Sequence, residues 1–325
     1  MNRMTVVAGL AILALPPQAP APSLRLVASI PLAGVEGRID HLTVDVDGRR
    51  LFVAALGHDT VEVVDLAGLR VTRSVSGMSE PQGIKYLADA GRIVVANGGT
   101  GAAQFLDGRS FGVLQTVKLS GDADNVRYDA GAKRTYVGYG NGALAVLGAD
   151  GQTLGDIPVG GHPESFQLET SGPRIFVNVP SASKVAVIDR ARATVVATWP
   201  VTAARSNYPM ALDEVNHRLF VGCRSPASML VYDTASGRLV TTASIVGDTD
   251  DLFYDAAKQR IYVAGGDGFI TVVAQQDRDH YQVVEKMPTA AGARTALFVP
   301  EMRRLFLAVP HRGSQRAELR VYTAD

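Results

Sequence analysis

The chain has 325 residues, with 32 Lys+Arg balanced by 32 Asp+Glu and a net charge of zero. That balance, with aromatics at only 6%, argues against nucleic-acid or anionic-membrane binding driven by bulk charge or base stacking. A single cysteine, Cys223, excludes an intramolecular disulfide framework and any multi-cysteine metal site.

Residues 1–22 read as a secretory signal. Arg3 is their only charge, residues 5–15 form an apolar run too short to span a bilayer, and Ala19-Pro-Ala21 resembles a cleavage site. The expectation is cleavage between about Ala19 and Ser23, a periplasmic or secreted location, and no membrane span afterwards.

From there the chain repeats itself. An arginine followed by an apolar strand recurs at Arg50 (RLFVA), Arg92 (RIVVA), Arg134 (RTYVG), Arg174 (RIFVN), Arg218 (RLFVG), Arg260 (RIYVA) and Arg304 (RLFLA), with spacings of 42, 42, 40, 44, 42 and 44. Around each lie three or four short strands separated by polar or glycine-rich turns, as in DTDDLFYDAAKQRIYVAGGDGFITVV from Asp248. A period of about 40–45 residues built this way is the signature of a β-propeller, and seven copies predict seven blades. The length alone suggests two domains; a closed ring over residues 23–325 overrides that. The last repeat lacks a fourth strand, while residues 23–32 (SLRLVASIPL) form a spare one before the first repeat. Pairing the two would close the ring and leave no open sheet edge. The arginines sit at the hairpin away from the channel mouth and recur in every blade, so they read as structural.

Residues 52–54 (FVA) with Thr60–Asp65, residues 176–178 (FVN) with Lys184–Asp189, and the YVAG at Tyr262 resemble the YVTN repeat of the YncE-like propeller family. The resemblance covers residues 23 to 325 and implies the seven-bladed fold. Some relatives carry a DNA-binding label, which the neutral charge and sparse aromatics do not support.

The repeat also locates a site. Counting back eleven residues from the position after each arginine gives the start of each innermost strand: Asp40, Gln82, Asp124, Glu164, Tyr208, Asp250 and Arg294. The next residue in each blade is His41, Gly83, Asn125, Ser165, Pro209, Asp251 or Thr295, and the one after that is apolar. In a propeller these starts surround the central channel. The first column therefore gathers four carboxylates and one arginine, a charge of −3, in a chain that is neutral overall. Such carboxylates repel one another unless a cation, a proton or Arg294 compensates. Asp40, Asp124, Asn125, Glu164 and Asp250 offer the oxygen ligands that Ca²⁺ or Mg²⁺ prefers. His41 or His162 would add a nitrogen for a transition metal, or a general base. His41, Arg294 and Tyr208 are the candidate catalytic groups, with Arg294 paired to Asp40 around the closed ring. Gln82, His162, Asn207 and Asp251 complete the set as ligand-binding positions.

Other chemistries lack their motifs. There is no Cys-x-x-Cys-His for covalent haem, and one tryptophan cannot supply the repeats of quinone-cofactor propellers. The NGGTG at Asn97 is a turn with no helix after it, so no nucleotide site is indicated. Three readings remain open. The first is a monomeric propeller binding a small ligand, cation or protein partner at its channel mouth. The second is a metal-dependent hydrolase or lyase resembling gluconolactonase-type propellers. The third is an interaction scaffold without a central site.

Overall fold

Each arginine-led phrase forms the second strand of a four-stranded antiparallel sheet, from Arg50–Ala55 in the first to Arg304–Val309 in the last. These assignments come from a computed structural model that describes residues 22–140 and 142–324. The leader expected over residues 1–22 therefore lies, Pro22 apart, outside the described residues. Seven sheets stand around one axis: blade 1 (42–75), blade 2 (81–118), blade 3 (126–158), blade 4 (166–200), blade 5 (205–244), blade 6 (249–288) and blade 7 (296–324 with Leu24–Pro31). Their innermost strands touch in succession and the seventh meets the first. The protein is a seven-bladed β-propeller, and its described residues contain no α-helix.

Ring closure follows the expected scheme. Leu24–Pro31 is the outermost strand of blade 7 and pairs antiparallel with Glu318–Ala324, Leu24 opposite Ala324 and Pro31 opposite Glu318. A separate apolar cluster fills each of the seven blade interfaces. Phe52, Ile93 and Leu106 meet between blades 1 and 2, and Ile30, Leu51 and Phe306 between blades 7 and 1. Second strands are apolar on both faces because each face meets a neighbouring blade. Outer strands are largely exposed. In Val113–Lys118 only Val117 is buried, because the rim of the blade has little to pack against.

Four of the recurring arginines join successive blades. Arg50 Nη1 donates to Gly108 O at 2.7 Å, Arg92 Nη1 to Ala149 O at 2.9 Å, Arg174 to Thr234 O, and Arg218 Nε to Arg278 O at 2.9 Å. Each reaches a carbonyl in the outer hairpin of the next blade, so a guanidinium satisfies backbone that water would otherwise have to reach.

Cys223 belongs to this core. It is fully buried in Arg218–Ser225, and burial pushes its thiol up to about 12. We expect no reaction with an aromatic disulfide reagent in the native protein and complete labelling in guanidinium. Fast labelling without denaturant would mean that this strand opens readily.

Candidate functional site at the channel mouth

Backbone pairing brings the predicted columns together. Asp40 N donates to Ala54 O and Ala54 N to His41 O; Asp124 with Gly138, and Glu164 with Asn178, repeat the pattern. Asp40, Asp124, Glu164 and Arg294 thus sit just before their inner strands, while Gln82, Tyr208 and Asp250 fall at register breaks within theirs. All seven line one cavity of about 230 Å³, together with Arg38, His41, Asp122, Asn125, His162, Ser165 and Arg224. Blades 2 and 3 approach closely there. A Cβ on Gly83 would lie 2.3 Å from Asp124 O, so only glycine leaves that backbone in place.

The funnel has two unlike halves. On the side of blades 5 to 7 the charges are paired. Arg224 Nη2 binds Asp250 Oδ1 at 2.6 Å, Arg294 Nε binds Asp250 Oδ2 at 2.9 Å, and Arg294 Nη1 binds Asp248 Oδ1 at 2.9 Å. The Arg224 guanidinium also lies over the Tyr208 ring, 3.7 Å from its centroid. On the side of blades 2 to 4 no arginine is bonded to the carboxylates. Asp124, His162 and Glu164 each offer a ligand atom, and these atoms lie within 4.8 Å of one another. His162 Nδ1 is 2.8 Å from Gly140 O, while its Nε2 faces Asp124 Oδ2 at 4.0 Å, too far for a hydrogen bond but close enough for charge attraction. The Glu164 carboxylate bonds to no other described residue. Asn125 is only 3% exposed, and its side-chain oxygen is buried without a hydrogen-bond partner. Gln82 Nε2 donates to Asp122 Oδ1 at 2.9 Å.

The electrostatics follow from this crowding. Burial raises the Glu164 pKa, and the Asp124 charge raises it further. The Asp124 carboxylate is the main reason that His162 is raised as well. Burial likewise raises Asp40; His41 and Arg38 pull it down, while Asp250 and Asp124 push it up. Burial alone would lower His41, yet Asp251 and Asp40, at 3.5 and 3.7 Å, outweigh it and push it up to about 10.

Several expected roles do not fit this geometry. His41 lies between Asp251 and Asp40, at 3.5 and 3.7 Å, which favour its protonated form over a ring nitrogen free for a metal or a proton. Asp250 has both oxygens taken by arginines and is not open to a cation; Asp40 Oδ2 is bound by Arg38 at 3.1 Å and its Oδ1 faces His41 at 3.7 Å. Arg294 pairs with Asp248 and Asp250 of blade 6, not with Asp40 of blade 1. The Tyr208 phenol is raised by burial and by Glu164, which makes it a weaker acid. Asn207 lies outside the cavity. It is buried and its Nδ2 donates to Asn178 Oδ1 and Lys184 O, each at 3.0 Å, which ties blade 5 to blade 4. Asp251 faces the channel beneath the funnel, where it accepts from Ala296 N at 2.8 Å. Asp124, Asn125, Glu164, Gln82 and His162 remain together in the cavity lining.

The column count missed Arg38, Asp122, Asp248 and Arg224. The first three stand two residues before Asp40, Asp124 and Asp250, as His162 does before Glu164. That offset of two recurs in four blades, and as a repeat signal it would have found them.

No known protein family matches the sequence. No curated protein matches it either. Among solved structures, the chain is similar to one in Kuenenia stuttgartiensis hydrazine synthase, with 15% identity over 85% of this chain and 95% of that one and a TM-score of 0.72. It is also similar to a chain of the mitotic checkpoint complex, with 14% identity over 98% of each and a TM-score of 0.76. At such identities the likeness establishes the propeller fold and nothing about activity. No helix among the described residues is long and apolar enough to cross a membrane.

Proposed function

We propose that this is a ligand-binding propeller whose funnel holds a divalent cation on Asp124, His162 and Glu164, with the Asn125 carboxamide as a further oxygen donor. The observation that carries this reading is the set of three ligand atoms within 4.8 Å of one another, in a cavity also lined by Asn125, whose side-chain oxygen has no partner. No described arginine is bonded to those carboxylates, whereas in the opposite half Asp248 and Asp250 are paired with Arg224 and Arg294. The Nδ1 contact with Gly140 O fixes the His162 ring so that Nε2 can face a metal, as a backbone carbonyl commonly does for metal-binding histidines. An imidazole in the donor set favours a transition-metal cation over the Ca²⁺ or Mg²⁺ that an all-oxygen set would take. A bound cation would present an open face to a small oxygen-rich ligand in the funnel. The leader-like residues 1–22 support action outside the cytoplasm, and the FVN and YVAG phrases support kinship with the YncE-like propellers. The closed ring, whose blades leave only short outer edges, supports a monomer.

The test is metal analysis of protein purified without chelator, followed by thermal melts with added Mn²⁺, Zn²⁺ or Ca²⁺. At about 100 times the dissociation constant a cation should stabilise the fold by about 2.7 kcal/mol. Asp124→Asn combined with Glu164→Gln should abolish that gain. Without metal the double variant should be as stable as the parent or more so, because two crowded carboxylates are gone. Since Glu164 and His162 must both give up raised protons, affinity should increase with pH. Protein that retains no metal and melts identically with and without divalent ions would rule the cation out.

A further inference from the structure

Below the funnel, on the far side of His41 and Asp251, the channel widens into a cavity of about 540 Å³. One more turn of the blade symmetry defines its wall. The residues paired with Phe52, Val94, Tyr136, Phe176, Phe220, Tyr262 and Phe306 are Thr43, Lys85, Arg127, Gln167, Ala211, Phe253 and Leu297. This column is divided by side. Blades 2 to 4 contribute Lys85, Arg127 and Gln167, while blades 5 to 7 contribute Ala211, Phe253 and Leu297.

Neither cation has a bonded anionic partner: Glu301 draws on Lys85, and Asp251 and Asp124 on Arg127, only through space. Lys85 makes no hydrogen bond or ion pair with any described residue. Arg127 donates to Val126 O at 3.0 Å and to Ser165 Oγ at 3.4 Å, and no described carboxylate lies within ion-pair distance of it. The acids that share the cavity are otherwise engaged or outside. Asp45 is bound by Arg50 at 2.6 Å, Asp251 by His41 and Ala296 N, and Asp47 and Glu301 sit exposed at the rim. Burial lowers the pKa of both Lys85 and Arg127, and Arg127 lowers that of Lys85 further. Two neighbouring cations in a partly buried cavity are costly unless an anion joins them. Inorganic anions would satisfy that charge and leave Phe253 and Leu297 facing water. A carboxylate with a hydrocarbon tail satisfies both walls, and the volume suits a small organic molecule.

We propose that the channel binds an amphipathic carboxylate, its head between Lys85 and Arg127 and its hydrocarbon against Phe253 and Leu297. This site does not depend on what occupies the funnel.

Calorimetric titration with sodium octanoate tests the assignment. The native protein should bind octanoate, and Lys85→Met and Arg127→Met should each weaken binding about tenfold or more, as loss of a charge-assisted hydrogen bond does. EDTA should leave the affinity unchanged, which separates this site from the cation site. Octanol and inorganic phosphate, which each match one wall only, should bind at least about tenfold more weakly. Lys85→Met should melt no lower than the parent without octanoate, since it removes an uncompensated charge; Lys85→Gln serves as the second variant if Met perturbs folding. Octanoate that fails to bind at millimolar concentration, variants that bind it like the parent, or phosphate that binds as tightly as octanoate would each overturn the proposal.

Discussion

Removing residues 23–32 should abolish the native fold. Leu24, Ile30 and Leu32 are at most 2% exposed, and burying each contributes about 1.5–3 kcal/mol. Together that is roughly 5–9 kcal/mol, against a total stability of roughly 5–15 kcal/mol for a typical domain. The deletion also uncovers the pairing edge of Glu318–Ala324, a template for another chain. The truncated protein should therefore lose its cooperative melt or elute as oligomers in size-exclusion chromatography. A monomeric product with an unchanged melting temperature would mean that the ring is not held shut by this strand.

Arg218→Met should be the most damaging change among the recurring arginines. The Arg218 side chain is 3% exposed and donates to Asp233 at 2.7 Å, to Asp279 at 2.5 Å and to the carbonyls of His217 and Arg278 at 2.8 and 2.9 Å. Methionine keeps most of the volume and removes every bond. Both carboxylates can rehydrate, so the expected cost is about 3 kcal/mol, the low end for a broken buried pair. By contrast, Arg304 has only a 3.3 Å contact with Arg303 O, and Arg304→Met should cost no more than about 0.5 kcal/mol. Acid supplies a second readout. Burial would raise the Asp233 pKa, but hydrogen bonds from Ser236 and the Arg218 charge more than offset it and hold it at about 2. A carboxylate lowered in this way stabilises the fold above its unfolded value of about 3.9 and stops doing so as pH falls through about 2. The gap in melting temperature between native protein and Arg218→Met should therefore be full at pH 6 and narrow between about pH 4 and pH 2. A gap that does not change across that range would place the cost in packing rather than in charge.

The ring and its closure were legible because the repeat is in phase. Seven arginine-led strands set the blades, and a fixed offset from them found every inner-strand start that lines the funnel. The pairing inside the funnel was not legible. Arg294 is flanked by blade 6 and blade 1, and a column of letters cannot say which of them its side chain reaches. Nor does it show that Asp250 is shared by two arginines, because one of these, Arg224, comes from a second strand that runs two residues longer in blade 5 (Arg218–Ser225) than in the other blades. Asn207 was misplaced for a related reason. The register slips between Asn207 and Met210, which turns its carboxamide toward Asn178 and out of the cavity. The channel column stayed unread because the count ended at the first apolar residue, one position short of Lys85 and Arg127.

The strand Leu24–Pro31 finds its only sheet partner in Glu318–Ala324, about 290 residues later in synthesis. During translation, six complete sheets can form and stack while this early segment waits with Leu24 and Ile30 uncovered. Loop-closure entropy has to be met before that long-range contact gives any return, so annulus completion should be the slow, late event in folding. Until it occurs, an apolar strand and an unfinished seventh sheet are both exposed to other nascent copies, and domain-swapped rings are the natural error product.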